Sequence, residues 1–232
     1  MLIVLPPSET KAPGGADAPM ALSFPLLDPV RSALMDALAA ADTETLMREA
    51  KIPAGKRAEA EENLGLRAAP VMPAVERYTG VLYDALDAPP LPAAARARIA
   101  VGSALFGLVL ADDPVPRYRL SAGAKVGGKT MRAWWGSRIS GVLAGQGFVV
   151  DLRSGAYQQL GPAPGAVTVR VEQADTGRVV SHFNKQYKGE LARALALSPE
   201  AGGAASAADV ADVATREGFR VRVDGQQLTL LV

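Results

Sequence analysis

Four consecutive apolar residues, Leu2–Leu5, stop abruptly at Pro6-Pro7, as a strand covered on both faces does. Residues 12–20 are rich in Gly, Pro and Ala and predict a loop. Asp28-Pro29 then supplies a capping carboxylate followed by proline at the first helical position, which predicts a helix over about 29–40. Asp42 or Thr43 can cap a second helix, an Ala/Glu-rich helix is expected beyond residues 51–57, and residues 73–86 read as another. The apolar run 103–110 fits a strand or a buried helix equally well. Asp112-Asp113-Pro114 ends it, residues 117–120 read as extended, and Trp134-Trp135 fall on an expected helix over about 129–144. A second β-branched run, 148–152, predicts a central strand that delivers Ser154 and Tyr157 at its end.

Val167–Glu172 and residues 178–181, separated by Ala174-Asp175-Thr176-Gly177, predict a hairpin, and the strand runs on toward a helix over 184–196. His182 reads as a strand residue. A helix over 206–217 stops at Gly218, and residues 220–223 and 226–232 predict a last hairpin with a type I′ turn at Asp224-Gly225. Strands and helices interleave, with antiparallel pairs near the C-terminus. The fold class expected is therefore α/β in the mixed sense: a mixed β-sheet flanked by helices, in one domain spanning residues 1–232.

Composition narrows function mainly by exclusion. Lys and Arg exceed Asp and Glu by only one, 25 against 24, so net charge argues for neither nucleic acid nor membrane. With no cysteine and one histidine, thiolate chemistry and most zinc sites are excluded, leaving carboxylates as the remaining metal-ligand chemistry. The short apolar N-terminal run lacks a preceding basic region and predicts neither a signal peptide nor a span, which places the protein in the cytoplasm. No phosphate-binding glycine loop, nucleophile elbow or zinc motif is present, so no catalytic signature is recognised and no cofactor is expected.

Polar clusters follow several of the apolar runs, where α/β proteins commonly place ligand-binding groups. Ser8-Glu9-Thr10-Lys11 could cradle a phosphate or carboxylate, or be a solvated loop. Arg117-Tyr118-Arg119 suits bidentate phosphate contact with stacking on a base, or arginines pinning carbonyls. Lys185 and Lys188, with Arg193, share one face of the helix expected from residue 184, which is a basic site or an exposed basic face. Asp112-Asp113 offers a metal carboxylate or a base, with turn chemistry favoured for Asp112. The two tryptophans, Tyr78 and Tyr83 are expected in the core.

Five ordered blocks resemble one family: PPSETK at the N-terminus, YTGVLYDAL at 78–86, SALFGLVLADDPVPRYRL at 103–120, DLRSGAY at 151–157 and FNKQYKGELAR at 183–193. Together they are similar to the YaaA family of peroxide stress proteins. Its central block runs approximately Ser-Gly-Leu-Tyr-Gly-Leu-Leu, an Asp, then Pro-Tyr-Arg-Leu. Ser103, Leu105, Gly107, Leu108, Asp113, Tyr118, Arg119 and Leu120 match it, while Phe106 replaces Tyr and Arg117 replaces Pro. Elsewhere Asp151 stands for Asn, Arg153 for Ala, Ala156 for Glu and Lys188 for Arg, and Glu9 occupies the place of the lysine before Thr10. These departures mark a divergent branch.

The resemblance implies a mixed α/β fold with a positively charged cleft, binding of duplex or unpaired DNA through that cleft and a helix-hairpin-helix-like element, and a part in limiting damage from peroxide and free iron. The anion-binding residues expected are Ser8, Thr10, Lys11, Arg117, Tyr118, Arg119, Ser154, Lys185 and Lys188, with the hairpin candidate at Gly55, Lys56 and Arg57. The alternative is an enzyme acting on a nucleotide or other small anion in the same pocket, with Lys185 or Asp113 carrying a proton. A closed pocket too narrow for duplex would favour that alternative.

Overall fold

A strand apolar at every position needs cover on both faces and a neighbour on each side, and Leu2–Leu5 (β1) takes that place, fully buried inside a seven-stranded sheet. The computed structural model describes residues 1–180 and 183–232. β1 pairs in parallel with Ile99–Ser103 (β2) on one side and Val149–Asp151 (β4) on the other. Gly107–Leu110 (β3) pairs antiparallel to β2. Beyond β4 lie Val167–Glu172 (β5) and Gln227–Leu231 (β7), both parallel, and Val221–Asp224 (β6) closes that edge antiparallel to β7. The order is β6-β7-β5-β4-β1-β2-β3. The mixed α/β fold expected from the sequence is the fold observed.

The chain leaves β1 toward β2 on one side and returns to β4 on the other, so the strand order reverses at β1. In open α/β sheets ligands bind in the crevice outside the carboxyl ends of the strands at such a point. The helices are Asp28–Ala39 (α1), Thr43–Ala50 (α2), Arg57–Glu62 (α3), Val81–Leu86 (α4), Gly155–Leu160 (α5), Asn184–Leu197 (α6) and Ala207–Arg216 (α7), with shorter turns between them. Asp42 caps α2 through the Thr45 amide, and Ser206 and Asp209 cap α7 reciprocally. Asp28 is the first residue of α1 instead of its cap, and its carboxylate takes a 2.8 Å bond from Arg31.

Several boundaries differ from expectation for identifiable reasons. Residues 73–86 are not one helix. Val71–Pro73 pairs with Pro114–Pro116, one helical turn follows over Ala74–Arg77, and Tyr78 is extended and bridged to Lys11 before Gly80, at φ 99°, starts α4. The expected helix over 129–144 breaks at Gly136, at φ 54°, into Met131–Trp135 and Arg138–Ala144. Run 103–110 is neither one strand nor a helix but the turn and second strand of the β2–β3 hairpin. After β5, among the described residues, Val179 alone bridges back to Glu172; Ser181 and His182, read as strand, lie outside the described residues. The last hairpin turns at Gly225-Gln226, one residue later than expected, and only Gly225 has positive φ, so the type I′ pattern is absent.

Two arginines with no sequence signal tie the loops to this frame. Arg31, 1% exposed, donates to the Phe106 and Leu108 carbonyls at 2.9 and 2.6 Å and to Ser23 O at 2.8 Å. Arg77, fully buried, donates to the carbonyls of Val115, Ala12, Gly14 and Pro70. A guanidinium can satisfy several orphan carbonyls at once. These contacts hold the 12–20 loop beside the strand at Val71.

α6 lies against α4 at Gly189, where a Cβ would stand 2.2 Å from the Leu82 carbonyl oxygen and 2.8 Å from the Ala85 Cβ. The backbone contact cannot yield locally. Gly189→Ala is expected to destabilise the chain by about 1–3 kcal/mol despite its better helix propensity, read by urea unfolding. A neutral or stabilising substitution would contradict the close packing.

Candidate functional site

The segments that follow β1 and β4, with α6 and the start of α4, enclose a cavity of about 1000 Å³ at the strand-order reversal. Ser8, Thr10, Lys11, Arg119, Ser154, Lys185 and Lys188 all line it. Residues distant in sequence are thereby brought to one place.

The segment after β1 is fixed through its own backbone. Ser8 Oγ accepts from the Thr79 amide at 3.0 Å and donates to Thr10 O at 2.5 Å, while Thr79 Oγ1 donates to Thr10 Oγ1 at 3.2 Å. Lys11 turns inward. Its Nζ donates to Ser8 O at 2.9 Å and to Glu9 O at 3.4 Å and lies 4.2 Å from the Tyr118 ring centroid and 5.2 Å from that of Tyr78. Only 8% of Lys11 is exposed. Burial, followed by repulsion from Arg119, lowers its pKa from 10.5 to about 7, because a desolvated ammonium is disfavoured relative to the amine.

Beneath Lys11 runs a closed chain of hydroxyls. Tyr118 Oη is 2.8 Å from Tyr78 Oη and 2.7 Å from Ser103 Oγ, which accepts from the Phe106 amide at 2.9 Å. Burial pushes the Tyr78 phenol up to about 12 and holds that of Tyr118 well above the usual range, so both stay neutral. Tyr118, expected to stack on a base, instead packs in the wall behind Lys11, edge-on to Phe106 with centroids 5.3 Å apart.

Arg119 reaches the cavity but is already engaged, donating to Glu59 at 2.7 Å and Glu9 at 3.1 Å. Arg117 is outside it, bonded to Glu62 at 2.8 Å. On the opposite wall Lys188 donates to Leu152 O at 3.1 Å, and burial lowers its pKa. Lys185 is exposed at the rim, and Arg193 points away to the Leu86 and Asp87 carbonyls. Asp113 lies outside the cavity as turn chemistry, accepting from the Ser23 amide and hydroxyl and the Leu110 amide. That occupancy removes the reason to read it as a proton carrier.

The hairpin candidate forms a 3₁₀ turn over Ala54–Lys56 leading into α3. Its cations are already paired: Lys56 with Glu59, and Arg57 with Glu61 on its own helix and with Glu44 of α2. Gly55 has open space around it and ordinary φ, so no close approach requires glycine there. Thr79, Tyr83 and Arg170 also line the cavity, outside the residues expected to bind an anion. Nothing in their spacing marks them, since tertiary pairing alone brings them in.

The floor contains an ion pair. Arg153 donates to both oxygens of Asp151 at 2.8 Å and to Gly161 O at 2.8 Å, with both side chains almost fully buried. A Cβ at Gly102 would stand 2.7 Å from Arg153 Cδ. Asp151 and Arg153 therefore satisfy one another, and their pairing orients the segment that presents Ser154.

Fold and cavity together define an α/β protein with a hydroxyl- and amine-lined crevice of about 1000 Å³ at the reversal of its sheet. The chain belongs to the peroxide stress protein YaaA family, whose family model matches residues 1–223. It is 53% identical to a UPF0246 protein of Corynebacterium efficiens, over 99% of this chain and 98% of the relative. A UPF0246 protein of Corynebacterium glutamicum is 49% identical with both chains fully covered, and one of Streptomyces coelicolor is 44% identical over 84% of this chain and 82% of its own. Among the described residues no helix is long and apolar enough to cross a membrane.

The sign of the Lys11 shift sets a pH dependence. The folded pKa of about 7 lies below the unfolded 10.5, so the unfolded chain binds more protons in that window and stability attributable to Lys11 rises with pH. Arg119, Arg117, Glu9 and Glu59 are the charged groups that face it. The stability of the natural chain relative to Lys11→Met is expected to rise by a few kcal/mol between about pH 7 and pH 10.5, measured by urea unfolding at stepped pH. A pH-independent difference would show an ordinary lysine.

Arg153→Met, which strands the Asp151 carboxylate in the interior, is expected to cost about 3–5 kcal/mol. Asp151→Asn/Arg153→Met should recover part of that loss. Thermal and urea unfolding of both variants check it, and a near-neutral Arg153→Met would contradict the buried pair.

Proposed function

We propose that this YaaA-family protein contributes to the peroxide stress response by seating a nucleotide-sized anion in the cavity, either free or as an unpaired nucleotide of DNA. The observation that carries the proposal is the convergence of Lys11, Arg119, Lys185 and Lys188 with the Ser8, Thr10 and Ser154 hydroxyls around one space of about 1000 Å³. That volume is at the upper end of small-ligand sites, roughly 300–1000 Å³, and suits a nucleotide better than a duplex.

Charge supports the same choice. Duplex binding rests on cations free to replace counterions on many phosphates, whereas Arg117, Arg119, Lys56 and Arg57 are each held by carboxylates. A single anion displacing Glu9 from Arg119 needs only a local exchange. The exposed Lys185 at the rim favours the unpaired-DNA source, because it could meet a flanking phosphate. Direct handling of iron forms no part of the proposal, since it has no carboxylate cluster among the described residues to support it.

Calorimetry with adenosine 5′-monophosphate, and anisotropy with labelled bubble and paired DNA over a salt series, test the reading. The mononucleotide is expected to bind and to compete with the bubble, and paired DNA to bind more weakly. Arg119→Ala/Lys185→Ala should weaken the mononucleotide about tenfold or more, ~1.4 kcal/mol at least. Equal binding of paired and bubble DNA, without competition by the mononucleotide, would place binding on an open surface and refute it.

A further inference from the structure

Lys11 combines three features that a cation serving only structure does not need together. It borders the cavity of about 1000 Å³, it is more than nine-tenths buried, and no carboxylate lies within ion-pair distance of its Nζ among the described residues. Lys185 is exposed, and Lys188 sits across the cavity on a backbone carbonyl. A lysine desolvated beside another cation becomes a nucleophile near neutral pH, because its amine form is populated there.

We propose that Lys11 is a covalent lysine, whose Nζ condenses with the carbonyl carbon of a phosphate-bearing aldehyde seated in the cavity. The inference rests on the reading of the cavity as a seat for a nucleotide-sized anion and adds the reactive group of the ligand. The neutral amine attacks the carbonyl carbon, forming an N–C bond, and the C=O bond is lost through a carbinolamine. Counted from the ammonium, two Nζ protons leave with the carbonyl oxygen as water and the third stays on an iminium, so atoms and charge balance.

The surroundings suit that product. The retained N–H can keep the bond to Ser8 O, now 2.9 Å, and the iminium charge stays over the Tyr118 face, 4.2 Å from its centroid. The contact to Glu9 O, at 3.4 Å, is the weaker of the two and the one given up. Arg119 and Lys185 line the same cavity and supply cations for the phosphate. The buried phenols below are neutral and so do not compete for the positive charge by ionising. The pKa near 7 places the amine form within reach at neutral pH.

The test is reductive trapping on the full chain with glyceraldehyde 3-phosphate and sodium cyanoborohydride, followed by peptide mapping. Lys11 is expected to be labelled about tenfold or more faster than any other lysine at neutral pH, reflecting its larger neutral fraction, and adenosine 5′-monophosphate to slow that labelling. Lys11→Arg, which keeps the cation but cannot condense, should lose this adduct. Should that variant fail to fold, the natural chain still decides: Lys11 labelling should reach half its maximum near pH 7. Labelling confined to the other lysines, or a Lys11 profile that rises only with the ordinary lysines, would overturn the inference. If Lys11 stays inert while the mononucleotide binds, the covalent role alone falls. If neither occurs, the anion-binding reading falls with it.

Discussion

The ammonium of Lys11, set between two backbone carbonyls and the faces of two tyrosines, is the contact on which the rest of the site depends. A lysine brought in from water needs each of its donors met. Meeting them folds residues 8–11 back on themselves at the end of β1, and the bridge from Lys11 to Tyr78 then interrupts what the sequence presents as one long helix. That interruption frees Thr79 to lock Ser8 and Thr10. The wall of the cavity is thus built around a group that burial leaves poised between charged and neutral.

The floor shows the same economy in a different chemistry. Asp151 and Arg153 are both buried, and each would be a liability alone in the interior. Together they satisfy one another and hold the turn after β4. The chain belongs to the YaaA family over nearly its whole length, and this part of its site rests on the buried Asp151–Arg153 pair.

Much of the frame was legible in the sequence, because β1 and β4 are continuous apolar runs and α2 and α7 carry polar caps. The carboxyl-end clusters were legible for the same reason, since a polar tetrad directly after a buried strand has few places to go. The misreadings share a physical cause. Gly80 and Gly136 adopt positive φ inside segments with helical periodicity, and nothing local distinguishes such a glycine from a tolerated one. Arg31 and Arg77 were missed because their partners are carbonyls far away in sequence. Tyr118, expected to meet a ligand, has its hydroxyl and ring spent inside the wall, beneath Lys11.

The central claim is that the cavity lined by Lys11 is the ligand seat, and a crystal structure of the chain grown with adenosine 5′-monophosphate tests it most directly. The account predicts the nucleotide inside the cavity, with its phosphate within hydrogen-bond distance of Arg119 or Lys185 and the Glu9–Arg119 contact opened. A nucleotide bound on the outer surface at residues 55–57, with the cavity unchanged, would contradict it.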